Sequence, residues 1–180
     1  MTATAMLLGA AAPAPPATWR LTPDGLGPLH IGMTRAHAGA TLGARITTRA
    51  PDGSASTACE EGEIDGYRGL YLLFEQGRLT RIDILADTGP HDRPARFDVT
   101  GNRTSDGLRL GSTEQDVLRV YGRRLKIATA PYLDEPAHEL TMIDAAAGSG
   151  RGLVFETDDH GVVVDIRAGG KAIGYMEGCL

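Results

Sequence analysis

The sequence predicts an α+β fold: two tandem helix-plus-antiparallel-meander repeats, with the helices packed on one side of a curved sheet. Three observations predict it. The stretch Leu29-His30-Ile31-Gly32-Met33-Thr34 returns as Leu108-Arg109-Leu110-Gly111-Ser112-Thr113, and each copy runs on to a further glycine, Gly43 or Gly122, at one constant offset. After each copy come apolar runs bounded by turn residues, as antiparallel strands require. The turns at Glu75-Gln76-Gly77-Arg78 and Thr157-Asp158-Asp159-His160-Gly161 then sit at matching places. A chain that repeats a turn–helix unit is built from copies of one small fold. The expected organisation is a tail at 1–18, a first repeat at 19–86, a linker at 87–96 and a second repeat at 97–180, together one compact unit.

Trp19-Arg20-Leu21 reads as a short strand with Trp19 and Leu21 on one face. Thr22-Pro23-Asp24-Gly25 is a turn, because proline presets φ and glycine accepts a positive φ. Leu29 and Ile31 alternate around His30, which faces solvent, as does its counterpart Arg109. Thr34 is the natural N-cap for a helix over 35–42, and Gly43 its left-handed stop. Residues 45–48 are β-prone, 52–56 form a loop, and a strand runs from Ser56 to Cys59. Strands at 67–74 and 79–85 flank the Gly77 turn. Residues 86–96 carry the punctuation of a linker: Asp87, Gly89, Pro90, Asp92 and Pro94. Phe97 and Val99 alternate as Trp19 and Leu21 do. Thr113 and Asp116 fit a capping box for a helix over 114–121, whose apolar face is Val117, Leu118 and Tyr121. Strands follow at 125–129, 139–143, 152–156 and 162–167. One sheet face lies under the helices, and the other is half-polar and open to solvent.

With 180 residues, the chain is long enough to bury a core without metals. A net charge of −5 with scattered arginines excludes the clustered basic face that nucleic acid needs. No apolar run is long enough to span a bilayer as a helix. The Ala/Pro-rich tail, Met6-Leu7-Leu8-Gly9-Ala10-Ala11-Ala12-Pro13, reads either as the apolar core and end of a secretory signal without its basic start or as a tail on a cytosolic protein. Export, to the periplasm or beyond, is the primary expectation, with the cytoplasm as the alternative.

No residues form a catalytic or metal motif, and no cofactor is expected. Cys59 and Cys179 are the two cysteines. In an oxidising compartment they form one bridge that ties the C-terminus to the first half; in the cytosol they are two free thiols. Asp158-Asp159-His160 is a dense cluster of ligand-type residues, but Asp, His and Gly also suit a hairpin tip. Glu60, Glu61, Glu63 and Asp65 read as a solvated loop or as an acidic patch for a basic partner. Asp134-Glu135 with His138 invites an acid/base reading, yet Pro131 and Pro136 mark a loop. Ser149 lacks a nucleophile elbow, and Gly169-Gly170-Lys171 lacks the remaining residues of a phosphate loop.

Gly-Leu-Gly-Pro-Leu-His-Ile-Gly-Met-Thr (25–34), the second Leu-x-Leu-Gly-x-Thr (108–113) and the closing Gly-Tyr-Met-Glu-Gly-Cys (174–179) resemble a group of small, uncharacterised exported bacterial proteins. The two-copy plan is similar to β-lactamase inhibitory protein, and single copies to the small lipoprotein of the outer-membrane barrel-assembly machinery. The chain departs from the lipoprotein in offering no lipidation cysteine, and from the inhibitor in lacking a disulfide within each repeat. The resemblance implies an exported protein that binds another protein. The expected function is therefore a non-catalytic binding module, inhibitor- or immunity-like, with Tyr71, Tyr132 and the loop acids as contacts. The alternatives are a structural or assembly factor of the envelope, and a small enzyme or small-molecule carrier with a pocket between helices and sheet.

Overall fold

A computed structural model describes residues 19–49, 58–86, 97–98, 101–131, 136–144, 148–176 and 178–179. The tail at 1–18, the loop at 52–56, the linker at 87–96, Val99, Tyr132 and the Asp134-Glu135 pair lie outside them.

The fold is mostly β, which corrects the expected α+β class of helix-plus-meander repeats. Its body is one eight-stranded antiparallel sheet. In chain order the strands are β1 (Arg20–Thr22), β2 (Gly25–Leu26), β3 (Leu29–His30), β4 (Ile46–Arg49), β5 (Cys59–Ile64), β6 (Tyr67–Arg68), β7 (Leu70–Glu75) and β8 (Arg78–Leu85), followed by β9 (Phe97–Asp98), β10 (Arg103–Thr104), β11 (Leu125–Thr129), β12 (His138–Ile143), β13 (Gly152–Thr157) and β14 (Val163–Gly169). The large sheet has the order β11-β12-β13-β14-β8-β7-β5-β4. It does not divide into two meanders, because β14 and β8 are hydrogen-bonded partners from Asp165↔Leu85 to Gly169↔Arg81. The helices α1 (Arg35–Leu42) and α2 (Glu114–Tyr121) have eight residues each. At 1.5 Å per residue each is only about 12 Å long, too short to set the class of the fold. Very short strands complete it: a second sheet of order β10-β1-β2-β3, in which β1 and β10 run parallel, and the parallel pair β6–β9.

Local chemistry sets the helix ends. The Thr34 side chain accepts from the His37 N–H, and Gly43 stops α1 in the left-handed region. Thr113 and Asp116 form a reciprocal capping box. The repeated glycine bend docks each helix start on the sheet. Gly32 donates to the Leu79 carbonyl at 2.7 Å and Leu79 donates back to Met33 at 2.8 Å. Gly111 and Val163 make the same exchange, at 2.9 Å and, to Ser112, 2.8 Å.

Alternation then sorts the sheet into two faces. Leu72, Phe74, Ile82, Ile84, Leu140, Phe155 and Ile166 join Ala38, Leu42, Val117 and Tyr121 of the helices in one core cluster. Intervening residues form the second face, and its centre is not open as expected. Residues 170–176, with a 3-10 turn at Lys171–Gly174, cross it and bury Arg81, Asp83, Asp165 and Arg167. At Gly169 β14 lies so close to β8 that a Cβ would strike the Thr80 carbonyl, and φ there is +148°. Of the acidic run read as a solvated loop or an acidic patch, Glu60, Glu61 and Glu63 stand on strand β5, held between β4 and β7, and Asp65 is in the turn that follows.

Candidate functional site

The four buried charges arise from mirrored sequence patterns. Arg81-Ile82-Asp83-Ile84 on β8 runs antiparallel to Asp165-Ile166-Arg167-Ala168 on β14, so the ladder places Arg167 opposite Asp83. The isoleucines enter the core and the charges share the second face. On the next strands Glu156 lies opposite Asp165, and Glu139 opposite Glu156. Four carboxylates thus gather around two guanidinium groups.

Arg81 donates from Nε and Nη2 to Asp83 Oδ2, at 3.1 and 2.8 Å. Its Nη1 donates to the carbonyls of Ala172 and Tyr175, at 3.0 and 2.9 Å. Arg167 Nη2 donates to Glu139 Oε2 at 2.5 Å and Glu156 Oε2 at 3.2 Å, and Nη1 to the Ile173 carbonyl at 3.1 Å. Its Nε is 3.3 Å from Asp165 Oδ2, an ion pair without hydrogen-bond alignment. Asp83 Oδ1 and Asp165 Oδ1 are buried without a hydrogen-bond partner among the described residues.

Burial pushes Asp83 above the usual carboxylate range against the pull of Arg81. Asp165 is raised well above it by burial and by the neighbouring Asp83 charge, and Glu156 is raised by burial. A carboxyl raised on folding holds its proton longer in the native state. The stability it contributes is therefore complete below the unfolded value, about 4, and is lost as pH rises through the folded value. Asp165→Asn, which does not titrate, is expected to gain stability relative to the parent as pH rises from 4 to 8. Urea melts across that range measure the difference; a constant difference refutes the assignment.

Chemically the cluster is closed upon itself. Its guanidinium groups are spent on carboxylates and on the crossing segment's carbonyls, so it pins residues 170–176 to the sheet. The same face is open nearer β4. There Thr47, Thr48, Arg49, Glu61, Glu63 and Tyr71 line a groove of about 220 Å³. Tyr71 is 39% exposed, and Arg49 lies 3.7 Å from Glu61.

The residues singled out in the sequence fall into separate places. Cys59 and Cys179 are joined by a disulfide, with Cα atoms 5.4 Å apart. Glu61 and Glu63 line the groove, whereas Glu60 accepts from Arg35 and Thr48 at 3.1 and 2.9 Å. Asp158 Oδ1 accepts from the N–H groups of His160 and Val162, so that carboxylate builds the turn. His138 Nδ1 is 2.9 Å from Glu114 Oε2, a contact between β12 and the start of α2. The Ser149 hydroxyl accepts from the Arg151 N–H. Among the described residues no group of three or more His, Cys, Asp or Glu is placed to hold a metal, and no helix is long and apolar enough to cross a membrane. Sequence reasoning missed the cluster itself; its one signal was the two mirrored charge–isoleucine alternations.

No protein family and no curated protein sequence matches the chain. Its structure is similar to the crystal structure of the uncharacterised protein yfeY from Escherichia coli, with 12% identity and a TM-score of 0.48, over 83% of this chain and 99% of that one.

Proposed function

We propose that the chain is a non-catalytic, exported protein-binding module, inhibitor- or immunity-like, that meets its partner with the open part of its charged sheet face. The observation that carries this reading is the position of Tyr71. It stands on β7, paired on both sides by β5 and β8, and lines a groove among Arg49, Glu61 and Glu63. An exposed aromatic ring on a rigid strand loses little rotamer freedom on contact, which favours it as an interface anchor. The surrounding charges supply the polar rim. Export is supported by the Cys59–Cys179 bridge, since such bonds persist in oxidising compartments.

The test is a photo-reactive phenylalanine in place of Tyr71, and separately in place of Gln115 on the exposed side of α2, in cells that export the chain. A protein adduct from position 71, absent from position 115 and lost with Glu63→Arg, is expected. Equal labelling from both positions, or no adduct from 71, overturns the reading.

A further inference from the structure

The two edges of the large sheet differ. At one, β4 has four residues, and Arg35 donates to its Thr48 hydroxyl. At the other, β11 is exposed on both faces at Lys126, Ile127, Ala128 and Thr129, with Ile127 46% exposed. We propose that β11 is a docking edge for an extended acidic segment of another protein, which adds to the sheet as a ninth strand.

Backbone register turns half of the β11 main chain outward. Ala130 donates to the Ala137 carbonyl at 2.9 Å, and the antiparallel register continues through Ala128↔Glu139 and Lys126↔Thr141. In such a ladder alternate pairs share hydrogen bonds, so the main-chain groups of Leu125, Ile127 and Thr129 point away from β12. The Leu125 N–H closes the preceding 3-10 turn on the Gly122 carbonyl. The N–H and C=O of Ile127 and Thr129 have no hydrogen-bond partner among the described residues. They form a ready template for one more strand.

Charge decides the occupant. The chain carries −5 overall, yet this edge is basic: Arg123, Arg124 and Lys126 are all exposed within four positions. Arg124 is set over the Tyr121 ring, 5.0 Å from its centroid. Charged side chains on an edge protect it against like or neutral strands. The same cations, beside an exposed isoleucine, favour a strand of complementary charge. Alternation gives its pattern. Lys126 and Ala128 project to the charged face and Ile127 to the apolar one, so the incoming strand carries acids on one side and apolar residues on the other. Seven strand spacings, about 34 Å, separate this edge from β4 beside the Tyr71 groove. The β11 edge is thus remote from the Tyr71 groove, and neither test decides the other.

The probe is a blocked seven-residue peptide alternating glutamate and valine, titrated into the full oxidised chain and followed by amide resonances. Saturable binding is expected, with the Ile127 and Thr129 amides shifted and protected. Lys126→Glu is expected to weaken it at least tenfold, and raised salt to weaken it further. Ile127→Pro is expected to abolish it, because the lost N–H points outward and the β11–β12 ladder does not use it. Lys126→Glu leaves every main-chain group in place, so it decides the matter even if the proline variant unfolds. No binding at millimolar peptide, unchanged binding by Lys126→Glu, or equal binding of a lysine–valine peptide overturns the proposal. Self-association lost in Ile127→Pro, without peptide binding, assigns the edge to a second copy and overturns it as well.

Discussion

Replacing Arg167 with leucine is expected to lower the unfolding free energy by about 3–5 kcal/mol, the cost of breaking a buried ion pair from one side. The arginine side chain is 4% exposed and meets Glu139, Glu156 and Asp165 together. Leucine leaves three crowded carboxylates without their cation and the Ile173 carbonyl without its donor. The expected signature goes beyond the size of the loss. Burial already raises Glu156 and Asp165; Arg167 opposes the rise at Glu156 and, ahead of Arg81, at Asp165. Without it both hold their protons to still higher pH, so the penalty should shrink towards acid pH, where protonation removes the repulsion. The control is Arg119→Leu, which breaks an exposed i,i+3 pair with Asp116 and should cost far less, because solvent screens that pair. Urea denaturation of both variants at pH 5 and pH 8 measures this. A loss below that of the control would show that the cluster does not bear on stability, and a loss independent of pH would show that carboxylate repulsion is not its source.

What was legible in the sequence is what neighbouring residues decide. Thr34 and Gly43, and the Thr113–Asp116 box, fix helix ends through bonds spanning three or four positions. Gly77 between two apolar runs sets a hairpin in the same way. The class of the fold is not legible there, because the repeated motif sits beside the helices and weights the sequence towards them, while the strands come to dominate through long-range pairing. The two-residue strands β2 and β10 have no periodicity to read. Nor has β5, where Glu60, Glu61 and Glu63 look like a solvated run until β4 and β7 pair with them.

The cluster was hidden for a related reason. Arg81 and Asp83 alternate with isoleucines as solvent-facing residues do, and nothing local says otherwise. They become buried because carbonyls at 172 and 175, some ninety positions along the chain, come down on them. Tyr71 could be picked out as an exposed aromatic, but its groove depends on β4 and β5 being laid beside β7. A site assembled by strand register is invisible until the register is known.

Removing the Cys59–Cys179 bridge is expected to destabilise the fold by about 2–5 kcal/mol, the range for native disulfides. The bridge joins residues 120 apart in sequence, so the chain-entropy argument places it towards the upper end of that range. The structure adds a second, local consequence. Cys59 begins β5, and Cys179 follows the segment that covers Arg81 and Arg167. Close to the bridge the backbone at Gly178 lies against the Glu61 carboxylate, with φ at +64°, so a side chain there would be strained and would push that carboxylate aside. The segment is thus fixed at two places: covalently at its end, and by arginine–carbonyl hydrogen bonds in its middle. Cutting the covalent point leaves the middle to hold alone, with Tyr175 Oη still donating to Glu75 at 3.0 Å. Hydrogen exchange should therefore quicken over 170–179 well before the β14–β8 ladder is affected. Cys59→Ser with Cys179→Ser, and the parent chain under reductant, should agree in midpoint and in the exchange map. A shift below about 1 kcal/mol in both, with unchanged exchange over 170–179, would mean that the two arginines alone hold the segment down.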